Sequence, residues 1–344
     1  MKNGKPILAI TMGDPAGIGP EIILQALSLK ETYEKCNPIV TGDAAVMEYV
    51  ARQQGSGLCI HAVKDVDDAL FEPGTVDVFD LNLIDMSTFE QGKVAVQCGN
   101  AAFQSVIKAI ELAMENKVDG TVTAPLNKEA LNLAGHHFDG HTEIYAHFTH
   151  TKKYAMLLAD EFLRVIHVST HVPLRKACDL VKKERIIDVT ELITDACRQF
   201  GIENPKIGIA GLNPHASDGG LFGDEERLEI APAVEELKAR GFNVEGTVPP
   251  DTLFAKAKCG KYDGCVAMYH DQGHIPFKVV GFNWDKETGK MSTAKGVNIT
   301  LGLPIIRVSV DHGTAFDVAG KGVASPDAML LSIDYATKMA KNKK

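Results

Sequence analysis

Short apolar runs rich in β-branched residues recur along the chain, with longer, helically spaced segments between them. Seven runs read as strands: 7–11, 76–81, 120–123, 164–169, 206–210, 264–268 and 305–310. Between them, 99–116 sets Ala, Val, Ile and Leu at helical spacing, and 232–240 reads as a helix stopped by Gly241. Pro20, after a glycine-rich stretch, reads as the first residue of another helix. Strand and helix in alternation predict a parallel α/β sheet. The polar stretch 283–295, which holds the only Trp, reads as an exposed, added loop, and the Lys-rich end 338–344 as a fraying surface helix. There is no internal repeat or low-complexity tract.

Composition bounds the function. With 344 residues, 45% hydrophobic and 24% charged, the chain has room for two domains with a substantial core. Seven Cys make an odd count with no C-x-x-C pair, which predicts reduced, mostly buried thiols, not a disulfide framework or a zinc ribbon. No secretory leader opens the chain, and no run approaches the roughly eighteen apolar residues of a membrane helix, so a soluble, cytoplasmic protein is expected. The formal charge of −9 disfavours a large nucleic-acid surface. An anionic small molecule remains compatible, because a few basic groups in one pocket can hold it.

Ligands of open α/β sheets gather at the carboxyl ends of strands, so the polar residues after each apolar run carry the candidate chemistry. Four runs are followed by a histidine: His171, His215, His270 and His312. Three imidazoles with open positions for substrate oxygens suit a catalytic divalent ion, and His171, His215 and His270 are the candidates. Their spacing matches no local ligand motif, and packed histidines are the competing reading. Gly140-His141-Thr142-Glu143 offers neutral donors for a phosphate or carboxylate, or else a plain helix cap. Lys278 and Arg307 stand among apolar neighbours, where a cation needs a carboxylate or a bound phosphate. The glycines of 13–21 allow close backbone approach to a ligand, yet Ile22 breaks G-x-G-x-x-G and there is no Gly-Lys-Ser/Thr.

Taken in register, 13–21, 123–128, 140–143, 213–215, 269–273, 298–304 and 311–320 resemble the 4-hydroxythreonine-4-phosphate dehydrogenase family across essentially the whole chain. The segment 312–324 is also similar to the cofactor loop of isopropylmalate and isocitrate dehydrogenases. The resemblance implies a non-Rossmann, two-domain α/β/α fold with the active cleft between domains. The cofactor-side domain would be 1–125 plus 296–344, and the substrate, metal and dimerisation domain 126–295. It further implies that His171, His215 and His270 ligate one divalent metal (Zn, Mg, Co or Mn), and that His141, Thr142, Lys278, Asn298 and Arg307 contact substrate. His312, Gly313, Thr314, Asp317 and Gly320 would hold NAD, with NADP as the alternative. The enzyme would be a homodimer with a shared active site. Within the family, 165–171 and 269–278, including His274, look more like the branch acting on 4-phospho-D-threonate and 4-phospho-D-erythronate than the vitamin B6 branch. The length of 283–295 departs from the family pattern.

The expected reaction is oxidation of a small 4-phosphorylated 3-hydroxy acid, most simply 4-phospho-D-threonate, followed by loss of carbon dioxide to give dihydroxyacetone phosphate. Asp271 and Asp251 are the candidate proton carriers, or alternatively hydrogen-bond acceptors that orient a histidine. Competing classes are a metal-dependent hydrolase that needs no dinucleotide and a noncatalytic binding protein for phosphorylated metabolites.

Overall fold

The computed structural model describes residues 1–281, 284–285, 290–291 and 296–343. The chain divides into two compact units, one of Met1–Lys152 with Leu303–Lys343 and one of Lys153–Gly302. Residues 126–152, assigned above to the second domain, thus belong to the first unit. In chain order the strands are β1 (Ile7–Thr11), β2 (Asn37–Gly42), β3 (Cys59–Val63), β4 (Thr75–Asp80), β5 (Gly120–Thr123), β6 (Ala155–Ala159), β7 (Arg164–His167), β8 (Ile207–Ala210), β9 (Val244–Val248), β10 (Gly264–Ala267), β11 (Trp284–Asp285), β12 (Lys290–Met291), β13 (Val297–Leu301) and β14 (Arg307–Val310).

In the first unit the strand order is β3-β4-β2-β1-β5-β14, and the neighbouring pairs are parallel. Strand β1 is buried at all five positions, the signature of a strand covered on both faces. Alternation sends Ile7 and Ala9 to one face, where they join Ile39, Phe103, Val106 and Ile110 in a core beneath helix Val96–Met114. Leu8 and Ile10 are as fully buried on the other face. Helix Gly19–Leu27 carries Pro20 in its first turn, as expected. Helix Asp327–Asn342 packs on β14 and β5; in its basic end Met339 and Ala340 are buried while Lys338 and residues 341–343 are exposed.

In the second unit the order is β13-β6-β7-β10-β8-β9. The run β7, β10, β8, β9 is parallel, whereas β6 is antiparallel to β7 and β13 antiparallel to β6. This corrects the all-parallel expectation. The physical reason lies between β6 and β7: the four residues 160–163 cannot carry a crossover, only a hairpin. Asp160 closes that hairpin, its carboxylate accepting from the Phe162 and Leu163 N–H groups at 2.7 and 2.6 Å. A core of Val165, Cys265, Ala267, Leu253, Phe254 and Phe277 seats helices Pro250–Lys258 and His270–Gly281.

The seven strands read from the pattern are present, some shorter by one or two residues; β2, β3, β6, β9, β13 and the short pair β11 and β12 were not singled out. Four of the seven thiols are buried (Cys36, Cys98, Cys197, Cys265), Cys178 is half-buried, and Cys59 and Cys259 are exposed. Most of the 283–295 stretch lies outside the described residues; its backbone pairs Trp284 with Met291 and Asp285 with Lys290. Among the described residues, no helix is long and apolar enough to cross a membrane.

Candidate active site

Each of the four parallel strands in the second unit is followed, within five residues of its carboxyl end, by a candidate polar residue. In spatial order, β7 leads to His171, β10 to His270, β8 to His215 and β9 to Asp251. Neighbouring strands lie about 4.8 Å apart, so residues distant in sequence are brought into one row. The His171 and His270 ring centroids are 5.8 Å apart, and His215 Nδ1 is 3.8 Å from Asp251 Oδ2. His270 Nδ1 lies 2.7 Å from Asp271 Oδ1. With Nδ1 protonated and donating to that carboxylate, Nε2 holds the lone pair a metal would use. Cavities of about 410 Å³, bordered by His171, Tyr269, His270 and Asp271, and about 500 Å³, bordered by Asp251, Asp271 and Gln272, open along this row.

The donor chemistry fits a borderline divalent ion: imidazoles flanked by carboxylates that can fix their tautomers. Gathering is not closure, however. Among the described residues, no three His, Cys, Asp or Glu side chains are already arranged as a coordination shell. Beneath the row lies a second tier of imidazoles. The His274 ring stacks on His270 at 3.6 Å and 11°, and buried His167 is 4.7 Å from His274. Burial first, then the neighbouring His274 and His270, pushes the His167 pKa down to about 3, so it is neutral. Lys278 stands half-buried two turns along the helix from His270, and Asn298 on β13 is in register with Leu158 of β6.

The first unit brings a buried guanidinium and a buried imidazole nitrogen together. Arg307, at the start of β14, is 3% exposed; its Nη2 donates to Thr123 Oγ1 at 2.9 Å and its guanidinium lies 5.7 Å from the Tyr145 ring centroid. Burial lowers its pKa to about 10, still far above neutrality. His141 opens helix His141–Phe148, and burial together with Arg307 holds its pKa well below the usual imidazole range. Its buried Nε2 meets no hydrogen-bond partner among the described residues. A buried cation beside an unsatisfied neutral donor suits a phosphate oxygen. Thr142 follows in the first helical turn. Tyr145 and Thr123 were not named as site residues; Tyr145 falls one turn after His141, the i+4 spacing that puts both on one helix face.

Three loops meet at the carboxyl ends of β1, β5 and β14. Ile18 N–H donates to Thr314 O at 3.0 Å, Asp14 N–H to Pro125 O at 2.8 Å, and Gly92 N–H to Ala16 O at 2.7 Å. A Cβ on Gly17 would sit 2.9 Å from Thr314 O, so only glycine permits the approach. Glu21, fully buried, accepts from the Gly320 N–H and from Gln54 Nε2. The proposed dinucleotide segment is therefore pinned at Thr314 and Gly320, while Gly313 and Asp317 are exposed and His312 Nδ1 lies 3.1 Å from Gly313 O. Glu21 was missed as a partner of this loop because its contact spans 299 residues.

Comparison with known proteins identifies the family. The model of the family described as pyridoxal phosphate biosynthetic protein PdxA matches residues 34–336. A D-threonate 4-phosphate dehydrogenase of Salmonella typhimurium is 46% identical over 337 residues, covering 97% of this chain and 98% of that protein. A crystal structure of a 4-hydroxythreonine-4-phosphate dehydrogenase from Klebsiella pneumoniae is 43% identical, with a TM-score of 0.85 over 98% of this chain and 100% of that one. Its counterpart from Burkholderia phymatum is 42% identical, with a TM-score of 0.84 over 97% and 98%. With a family match over most of its length and full-length relatives above 40% identity, the chain belongs to the PdxA family.

Proposed function

We propose that the protein is an NAD- and divalent-metal-dependent dehydrogenase that oxidises a 4-phosphorylated 3-hydroxy acid, foremost 4-phospho-D-threonate, and releases carbon dioxide to leave dihydroxyacetone phosphate. The observation that carries this reading is the row His171, His270, His215, Asp251, delivered by four adjacent parallel strands. The name of the Salmonella relative supports the substrate.

A divalent ion held by His171, His215 and His270 would supply Lewis acidity toward the substrate's hydroxyl and carboxylate, and NAD would accept the hydride. The chain's own groups do the rest. Arg307 and His141 hold the phosphate, aided by Thr142, Lys278 and Asn298, so that remote binding energy fixes the reacting carbon. His312, Gly313, Thr314, Asp317 and Gly320 hold the dinucleotide. As hydride leaves C3, Asp271 or Asp251 takes the hydroxyl proton. The C1–C2 bond of the keto acid then breaks, carbon dioxide departs, and C2 keeps the electron pair and takes up one proton. The enzyme works as a cytoplasmic homodimer with a shared site. Ile275 and Val279, 59% and 73% exposed one turn apart on the helix that begins at His270, support an apolar contact with a second copy.

A second substrate, 4-hydroxythreonine 4-phosphate, is favoured by the names of the solved relatives. The test is a panel of 4-phospho-D-threonate, 4-phospho-D-erythronate and 4-hydroxythreonine 4-phosphate with NAD or NADP, with and without chelator, following reduced nicotinamide and released carbon dioxide. Turnover of 4-phospho-D-threonate that stops on chelation is the expected result. Phosphate or product release without any dinucleotide would make the protein a hydrolase, and silence throughout would retire the dehydrogenase.

A further inference from the structure

The loop after β8 is bent in an unusual way. His215, Ala216, Ser217 and Asp218 follow one another with φ of 55°, 56°, 70° and 49°, four left-handed residues in succession, none of them glycine. A side chain disfavours that conformation, which persists only where the surroundings over-determine it. The candidate metal ligand His215 is the first of the four.

The over-determining contacts converge on one side chain. Glu226 is 5% exposed, and its Oε1 accepts from the Leu212 and Asn213 N–H groups at 2.7 Å each. Its Oε2 accepts from Asn213 Nδ2 at 2.9 Å, and the Asn213 carbonyl in turn accepts from Ala216 N–H at 3.1 Å. Gly211 closes the turn from behind: a Cβ there would stand 2.8 Å from Ala216 Cα and 3.0 Å from Glu226 Oε1. On the far side, Ser217 Oγ donates to Gly223 O at 2.5 Å. Glu226 begins a widened helical turn, Glu226–Ile230, a feature that often marks functional sites. A loop that only joined β8 to the next helix would need neither the strain nor the buried carboxylate.

We infer that Glu226 is a positioning residue: it holds the 215–218 turn in its left-handed form and thereby sets the His215 ring beside Asp251 for the metal. The inference rests on His215 being a ligand, as proposed above. A carboxylate that accepts three hydrogen bonds from two adjacent residues fixes their backbone more firmly than either bond alone, and the fixed Asn213 carbonyl starts the turn.

The test uses the full-length protein, measuring zinc affinity by competition with a chromophoric chelator and, on metal-free protein, amide hydrogen exchange. Glu226→Ala should weaken zinc binding about 10- to 100-fold. It should also speed exchange at Asn213, Ala216 and Gly220 by about tenfold or more while helix Lys183–Gln199 keeps its protection. Glu226→Gln, which retains an acceptor for the Leu212 and Asn213 N–H groups, should recover most of both. Gly211→Ala, which adds one methyl and removes no polar group, should reproduce the loss. Turnover number should fall in Glu226→Ala with little change in KM for the phosphorylated substrate, whose phosphate is held elsewhere. Wild-type zinc affinity in Glu226→Ala overturns the proposal, as does faster exchange spread uniformly over the unit. Should wild-type protein take up no zinc, or His215→Ala bind it as tightly, the metal reading falls by itself. The exchange data then decide the role of Glu226, and an unchanged turn overturns it.

Discussion

His270 Nδ1 and Asp271 Oδ1 lie 2.7 Å apart on consecutive residues at the mouth of β10. The pair fixes which ring nitrogen faces outward, and it does so at the middle of the histidine row, between the strands that deliver His171 and His215. Asp271→Ala should therefore lower zinc affinity about 10- to 100-fold. The side chain is 68% exposed, so the melting temperature should hardly move. Unchanged zinc affinity combined with a lost limb in the pH–rate profile would instead make Asp271 a proton carrier.

Arg307 is a buried cation that touches Thr123 and Tyr145 with Glu143 nearby, a setting in which a bound phosphate would be held strongly. In wild-type protein, inorganic phosphate at about 100 times its dissociation constant should add roughly 2.7 kcal/mol of stability. Arg307→Met should lose that increment, because it keeps the length of the side chain but removes the guanidinium charge and its donors. Arg307→Lys should raise KM for the phosphorylated substrate despite the kept charge, since an ammonium cannot reproduce the planar, bidentate fork. Phosphate stabilisation surviving in Arg307→Met would place the anion elsewhere.

Glu21 pins the 312–324 loop through the Gly320 N–H. Gly320 has φ of +81°, so Gly320→Ala should cost about 1 kcal/mol and loosen the same loop. Glu21→Ala leaves the half-buried Gly320 N–H without its acceptor, a loss of roughly 1 kcal/mol, and should raise the dissociation constant for NAD by about tenfold or more. Zinc affinity should be untouched in both variants. Equilibrium dialysis against NAD measures the first quantity, and normal NAD affinity would separate this loop from the cofactor.

Asp14 is fully buried, and burial raises its pKa from 3.8 to about 6 against the opposing hydrogen bond from Ala16 N–H. Between those values the folded protein retains a proton that the unfolded chain has released. The carboxyl therefore favours folding at low pH; its contribution is fully present below about 3.8 and lost as pH rises through about 6. The span of about two pKa units corresponds to on the order of 3 kcal/mol. Denaturant titrations from pH 4 to 7 should show wild-type stability falling relative to Asp14→Asn. Parallel curves would show that Asp14 titrates normally.

The legible parts of this protein were those written in local pattern. β1 and β5 follow from apolar runs ended by glycine-rich or polar segments, and each is buried along its whole length. The strand exits bearing His171, His215 and His270 were readable for the same reason, since a polar residue after an apolar run stands where a parallel sheet ends. By contrast, β3 has only one buried position in five and β13 follows the uneven 283–295 stretch, so neither announced itself. The antiparallel β6 was invisible because pairing direction depends on how short the next connection is, not on the strand's own residues.

The sequence by itself settled the α/β class, the candidate ligand types, the close-approach glycines of 13–21 and, through motifs in register, the family. Only the tertiary structure decided that β10 lies between β7 and β8, so that the strand leading to His270 stands between those leading to His171 and His215. It also decided that Arg307 is buried against Tyr145 and that Glu226 braces a left-handed turn. The reason is physical. Periodicity and propensity act over a few residues, whereas strand order, desolvation of a charge and the bracing of a strained backbone arise from contacts between segments that the chain closes only when it folds.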